Sequence, residues 1–404
     1  MNDESLTNRV LPEPEIEPVV ALGCRDRALV EAAVMGRERA VAAWGLLRDD
    51  PHLTQDSGSR NLLPNIYLNL RRLEINDPRI DPLRAVYGEH WASNLLAQRS
   101  AVMALTALRE SGVEAIAMKG LPLLLTCYRC PGARPMHDLD LLVSPEQRVA
   151  GRAALMAAGW SSSGMPDALA PFLHGEAFQH QRWKEIDLHW RPFSVISPVQ
   201  AEAGLWTRAR RIPLEGITVA VPSTEDLLIM VCYHAFKRDS QAPARYALDL
   251  IELIRGPGRT MDWEALFTFA RAADLLLPVR DCLLYVEKEF GPLLPQQGLL
   301  ALSNARIDRE HHVRATRTFR ALRRRPSGLV SRLLEHWQRH RQVRMTEGGG
   351  RTAGFLRYLK LHYQYYWRHQ NLRGLVREAL RRRNRLRSAP DPGAAETPDR
   401  DDRS

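Results

Sequence analysis

Cysteine is sparse in this chain, and long apolar runs are missing. Its five cysteines (Cys24, Cys127, Cys130, Cys232 and Cys282) are odd in number and scattered. That argues against a secreted disulfide framework. Cys127 and Cys130 form one CxxC, "CYRC", with no second pair to complete a tetrahedral zinc site. They read as helix-face residues. No apolar stretch approaches the ~20 residues needed to span a bilayer, so no transmembrane segment is expected. The N-terminus, "MNDESLTNRV", lacks a basic-then-apolar signal pattern. The expectation is a soluble, cytoplasmic protein. Lysine is scarce beside arginine, a bias that genome base composition explains as readily as phosphate recognition. There is no internal repeat.

The 404 residues suggest two or three domains, and an apolar fraction of 45% supports a sizeable core. The net charge of +10 is unevenly spread. The region after about residue 305 is rich in arginine, whereas the chain before it is mildly acidic. Such asymmetry indicates an appended basic segment. It would attract nucleic acid, anionic lipid or an acidic protein, or form a solvated helical extension.

Residues 1–22 are polar, acidic and proline-containing, and are expected to be disordered. Residues 23–112 carry apolar residues at spacings of three and four, the pattern of a helical N-terminal domain. "RDRALVEAAVMGRERAVAAWGLL" reads as one helix, and a later one ends at Gly112. From 113 to 222 the period changes to that of a small mixed sheet. "VEAIAMKG" is a strand and turn, "LPLLLTCYRC" a short helix, and "LDLLV" a strand. "SPEQRVAGRAALMAAGW" is a helix capped by Ser144, "AFQHQRW" and "EIDLHWRPF" are strands joined by a tight turn, and "ITVAVPS" closes the sheet. Ser223 and Asp226 have capping-box spacing at the start of a helical domain over 223–300. Basic helices follow over 301–388, including an aromatic run, "YLKLHYQYYWRHQ", that either buries its rings or stacks on bases. Residues 389–404 are expected to be disordered. The fold class is α+β.

Within "RPMHDLDLLV" (134–143), Asp138 and Asp140 sit one residue apart on a strand, so both point to one face while Leu139 and Leu141 point to the other. Paired carboxylates repel unless neutralised, and hard oxygen ligands suit Mg²⁺ or Mn²⁺. The competing reading is an edge strand with a solvated polar face. A third strand carboxylate, Asp187 in "EIDLHW", also lies between apolar neighbours. If the two strands are adjacent, three carboxylates converge. Upstream, "AMKGL" is a strand end, a glycine and a helix start, a geometry that can receive a phosphate. Gly120 permits close approach, and Lys119 and Arg134 add positive charge. A phosphate turn facing three carboxylates is what nucleotidyl transfer needs.

In these residues the chain resembles the uncharacterised nucleotidyltransferase family of bacterial proteins, within the polymerase-beta-like nucleotidyltransferase superfamily. The likeness runs through Lys119–Gly120, Tyr128, Gly132, Arg134, "DLDLLV" and "IDLHW". It continues into "PSTEDLL", His234 and "LDL" (248–250), and covers about residues 25–290, including "LLPNIYLNL" and Asn94. It implies a nucleotidyltransferase palm over 113–222, with Mg²⁺ or Mn²⁺ as cofactor and an NTP, ATP among the candidates, as substrate. Asp138 and Asp140 would bind the metals, and Asp187 would complete the site and help deprotonate an acceptor hydroxyl. Lys119, Gly120, Arg134, His234 and Lys237 are the implied nucleotide contacts. His189, sharing a face with Asp187, is a candidate to orient an acceptor or a carboxylate, or a structural histidine. Asp249 reads mainly as structural support. The superfamily's usual Gly-Ser turn is replaced here by Lys119–Gly120–Leu121. The alternative function is a non-catalytic protein of this fold that docks nucleic acid or an acidic partner on its arginine-rich C-terminal helices. A further one is an accessory role in peptide or polysaccharide biosynthesis.

Overall fold

In the computed structural model the described residues are 22–128, 130–193, 199–236, 243–308, 312, 336–337, 340 and 353–366. The first compact unit falls within Met1–Met165 and Ala170–Gly349, the second within Pro166–Leu169 and Gly350–Ser404, each taken over its described residues. The two expected disordered ends and most of the basic extension lie outside the described residues.

The helical N-terminal segment begins with α1 (Cys24–Val34) and α2 (Arg37–Leu47). The sequence pattern suggested one helix here. Met35 and Gly36 instead adopt extended backbone and split it, as a glycine with its high entropic cost in a helix favours. Asn69, buried on α4 (Leu63–Arg72), donates to the carbonyls of Ala32 and Met35, both at 3.0 Å, and so terminates α1. A short α3 (Ser57–Arg60) is capped by Asp56, which accepts from the Ser59 N–H at 2.8 Å. The long α5 (Leu83–Glu110) ends as expected at Gly112, whose φ is +71°. Val113 N–H reaches the Leu108 carbonyl at 2.9 Å, and Gly112 N–H reaches Arg109 at 3.0 Å, the bond pair of a Schellman motif.

Seven strands follow: β1 (Ala115–Met118), β2 (Asp138–Val143), β3 (Ser161–Ser162), β4 (Gly175–Gln179), β5 (Glu185–His189), β6 (Arg210–Leu214) and β7 (Ile217–Val221). They form one mixed sheet in the order β3-β4-β5-β2-β1-β7-β6. At its centre β2 runs antiparallel to β1 and parallel to β5. Two strands were not legible in sequence. β6 is "RRIPL", whose charges and proline oppose a strand; it lies at the sheet edge, where proline is tolerated. β3 is only two residues long. The helices between strands are α6 (Gly120–Thr126), α7 (Arg148–Ala157) and α8 (Val199–Arg208). Ser144 caps a turn, accepting from Gln147 N–H at 3.3 Å, and α7 starts only at Arg148.

After the sheet come α9 (Thr224–Phe236), α10 (Pro243–Arg255), α11 (Trp263–Ala272), α12 (Leu276–Phe290) and α13 (Gln296–Asn304). Ser223 Oγ accepts from the Asp226 N–H at 3.2 Å, the expected half of a capping box. The Asp226 carboxylate accepts from the Ser223 hydroxyl at 3.1 Å and forms a bidentate pair with Arg208, at 2.8 and 2.9 Å. One continuous apolar core runs through these parts, from Ala28 on α1 to Ala305 after α13. The second unit holds the helix Ala353–Tyr366, on which Tyr358 is buried while Arg357 and Lys360 are exposed. Among the described residues no helix is long and apolar enough to cross a membrane.

The loop from Pro131 to His137 sets the start of β2. Asn94, buried on α5, donates to the carbonyls of Pro131 and Arg134 and accepts from Met136 N–H at 3.1 Å. Replacing it strands three backbone groups. Asn94→Ala is expected to lower stability by about 2–4 kcal/mol, read as a shifted urea midpoint with an unchanged slope. An unshifted midpoint would mean the loop is held elsewhere.

Candidate active site

Parallel register places Asp138 beside Glu185, Asp140 beside Asp187 and Leu142 beside His189. Side chains alternate along a strand, so Ile186, Leu188, Leu139 and Leu141 turn into the core, where none is more than 1% exposed. The carboxylates share the other face. Asp140 is 6% exposed, Asp187 is half-buried and Asp138 is exposed at the strand's start. Adjacent strands are ~4.8 Å apart, so Asp140 and Asp187 are neighbours by construction. A ligand atom from each of Asp140, Asp187 and His189 lies within 4.8 Å of the others. Asp138 is not one of these three.

A lysine and a histidine meet Asp140 on the same oxygen. Lys119 Nζ donates to Oδ1, and His189 Nε2 approaches it at 2.8 Å. Burial pushes the Asp140 carboxyl up, but the Lys119 charge and the His189 hydrogen bond outweigh this and hold it well below its usual range. Burial likewise pushes Lys119 down, and Asp140, with Asp138 and Asp187 beyond it, lifts the ammonium above its usual value. Burial raises Asp187, and the charges of Asp140 and Asp138 add to that while His189 opposes it. Asp138 is raised by burial and by Asp140. The face therefore holds more negative charge than Lys119 neutralises. The two carboxylates of this cluster are oxygen donors of the kind that fit a hard divalent cation, with the imidazole engaged by Asp140 beside them.

Lys119 reaches Asp140 from a strained position. It follows β1 with φ +53° and ψ −107°, a backbone conformation that glycine prefers, costing about 1–3 kcal/mol. Gly120 opens α6. A Cβ there would come within 2.8 Å of Arg134 Nη1 and 3.2 Å of Met136 Cγ, so only glycine fits between turn and loop. α6 has seven residues, and the positive charge at this turn comes from Lys119 and Arg134 more than from a helix dipole.

Arg134 is anchored, not loose. Its Nε and Nη2 donate to the two Asp249 oxygens at 3.0 and 2.9 Å, and Tyr128 OH donates to the same carboxylate. Asp249 is fully buried on α10 and supports the loop, as expected. The remaining Nη1 faces Gly120.

A cavity of about 510 Å³ opens over this face. Lys119, Gly120, Arg134, Asp138 and Asp140 line one side, and α9 and α10 supply Leu227, Met230, His234, Arg245, Tyr246 and Asp249. Ser57, Gly58 and Asn61 close it from the N-terminal segment. His234 and Tyr246 stack at 6.1 Å between centroids and 11° between planes. Of the residues expected at the site, Lys119, Gly120, Arg134, Asp138, Asp140, Asp187, His189 and His234 are thus brought together. Lys237 and its neighbour Arg238 lie outside the described residues. Sequence reading passed over Arg245, Tyr246 and Asn61. The spacing of Arg245 and Asp249, one helical turn apart, was the available signal.

Residues 48–291 match the family described as "Uncharacterised nucleotidyltransferase". The chain belongs to this nucleotidyltransferase family. The carboxylate pair, the third strand aspartate and the glycine turn all fall inside the matched span. One solved structure, the antibiotic-resistance factor ANT(2'')-Ia in solution, is similar at 16% identity. That likeness covers 43% of this chain and 89% of that one, with a TM-score of 0.30, too low to bear on the argument. No curated protein matches.

In this nucleotidyltransferase His189 is held by a glycine slot. Its ring is 2% exposed, and its Nδ1 has no hydrogen-bond partner. The hydrogen-bond pattern assigns the proton to Nε2, donating to Asp140. Gly175, its register partner on β4, would place a Cβ within 3.0 Å of Nδ1 and 3.2 Å of the Leu188 carbonyl. Gly175→Ala is expected to cost about 1–3 kcal/mol and to shift the His189 ring resonances by NMR. Wild-type stability with unmoved resonances would show a looser slot.

A second histidine reports the charge near the cavity. His90, on α5, has a buried Nε2 without a partner. Burial, then the charges of Arg245 and Arg60, pull its pKa from 6.5 to about 4. Between these values the unfolded chain binds more protons at this ring, so stability rises with pH through that window. Melting curves from pH 4 to 6.5 are expected to show a steeper rise for wild type than for His90→Gln. Parallel curves would remove the effect.

Proposed function

We propose that this enzyme is a metal-dependent nucleotidyltransferase that moves a nucleoside monophosphate from an NTP to a hydroxyl acceptor and releases pyrophosphate. The acceptor is a small molecule, a protein or an RNA. The observation that carries the reading is the register of β2 against β5, which sets Asp187 beside Asp140, itself in the wall of a cavity edged by Lys119 and Gly120.

Asp138, Asp140 and Asp187 would hold Mg²⁺ or Mn²⁺, with His189 keeping Asp140 oriented; the ion would supply positive charge to the phosphate oxygens. Gly120 lets a phosphate approach the turn without a side chain between. Lys119 is the cation of the site that faces the cavity and the carboxylates together. Its charge rests on Asp140 and can pass to the triphosphate as that ligand enters. Arg134 keeps its loop in place through Asp249 and offers Nη1 at the turn. The His234–Tyr246 pair gives a flat apolar ledge of the kind a nucleobase stacks on.

In the reaction the acceptor oxygen forms a bond to the α-phosphorus. The bond from that phosphorus to the bridging oxygen of the β-phosphate breaks, and pyrophosphate leaves with the electron pair. The hydroxyl proton goes to Asp187, since Asp140 is already engaged by Lys119 and His189.

The test is pyrophosphate release from each of the four NTPs, with and without Mg²⁺, for wild type, Asp140→Asn and Asp187→Asn. Each substitution is expected to reduce metal-dependent turnover by about 10²–10⁴-fold, with the far-UV spectrum unchanged. Turnover equal to wild type in both variants would reject the assignment.

A further inference from the structure

The nucleotide reading leaves one buried charge unexplained. Arg245 enters the cavity from α10 and is 7% exposed. Its Nη1 donates to the Asn61 carbonyl at 2.8 Å and its Nη2 to the Pro135 carbonyl at 3.1 Å. Both acceptors are neutral. Among the described residues no carboxylate lies within ion-pair distance of this guanidinium. Asp249, one turn further along α10, has both oxygens on Arg134 and Tyr128.

A buried charge without a carboxylate of its own is costly. Arg134 is paired in contact with Asp249 and Arg60 with Glu89. Arg245 feels the Asp249 charge only at a distance, and that carboxylate is already engaged by Arg134, so two guanidinium groups share one negative charge. Its guanidinium is nonetheless held in a fixed orientation by two carbonyls from different walls, the N-terminal segment and the loop before β2. A planar cation fixed in a cavity suits bidentate recognition of an oxyanion. On α5, His90 is pulled down first by burial and then by the Arg245 charge, in line with that excess.

We infer that Arg245, oriented by the Asn61 and Pro135 carbonyls, forms an anion subsite that takes an acid group, phosphate or carboxylate, carried by the acceptor. This rests on the nucleotidyltransferase reading, which gives the triphosphate to the Lys119–Gly120 turn. The acceptor is then a molecule with both a hydroxyl and an acid group, and Arg245 selects for the acid.

Calorimetric titration of the full chain, with a non-hydrolysable NTP analogue and Mg²⁺ bound, tests this with inorganic phosphate and acetate as probes. At least one probe is expected to bind, and the stronger of the two identifies the acid. Arg245→Gln keeps an amide to serve the carbonyls and removes the charge; it is expected to weaken binding about tenfold or more, with a melting temperature close to wild type. Arg245→Lys, which keeps the charge but loses the planar fork, is expected to bind more weakly than wild type and more tightly than Arg245→Gln. Three results overturn the inference: neither probe binding wild type, Arg245→Gln binding as tightly as wild type, or the analogue displacing the probe. Asp140→Asn is expected to leave probe binding unchanged, so loss of turnover and loss of the anion subsite are separable.

Discussion

The repulsion between Asp140 and Asp187 governs this molecule. Parallel pairing of β2 with β5 fixes them side by side on one face of the sheet, and the apolar residues that alternate with them forbid the strands from slipping. A slip of one residue would carry Leu139 and Leu141 out of the core and the carboxylates into it. The hydrophobic effect on one face therefore enforces an electrostatic penalty on the other. Lys119 offsets part of it, at the expense of a positive-φ backbone that a lysine would not choose.

The surroundings of that pair are built to keep it in place without neutralising it fully. His189 occupies one Asp140 oxygen and is itself boxed in by Gly175. The loop leading into β2 is pinned by Asn94 from α5, and by Asp249, through Arg134, and Arg245 from α10. Buried ion pairs of this kind contribute little net stability, because desolvation cancels most of the Coulomb gain. Their effect here is geometric. They determine where β2 begins, and so where Asp138 and Asp140 point.

Much of this was legible in the sequence because it follows from period and spacing. Alternation in "DLDLLV" and "EIDLHW" revealed which side chains share a face, and the glycines at 112 and 120 marked a helix end and a close approach. What was not legible depended on partners distant in the chain. The split between α1 and α2 is set partly by Asn69, more than thirty residues away. β6 carries charges and a proline because it is an edge, a fact that only the strand order reveals. Arg134 looked like a free phosphate contact; its engagement by Asp249 spans 115 residues. Arg245 went unnoticed because its spacing to Asp249 suggests an ordinary helix pair, whereas its contacts are the carbonyls of Asn61 and Pro135, more than a hundred residues away.

The cavity joins three segments with different duties. The sheet contributes carboxylates, the β1–α6 turn contributes Lys119 and Gly120, and α9 and α10 contribute aromatic and cationic side chains. Charges on the sheet face are in net negative excess, whereas Arg245 and the depressed His90 mark a positive end. On the reading proposed above, a substrate pair would carry phosphates toward Lys119 and an acid toward Arg245, leaving the carboxylates to a cation between them. On that reading the chemistry belongs to residues fixed by strand register, and recognition to helices that register does not constrain. Substitutions on α10 can then change what is bound without disturbing the geometry of Asp140 and Asp187.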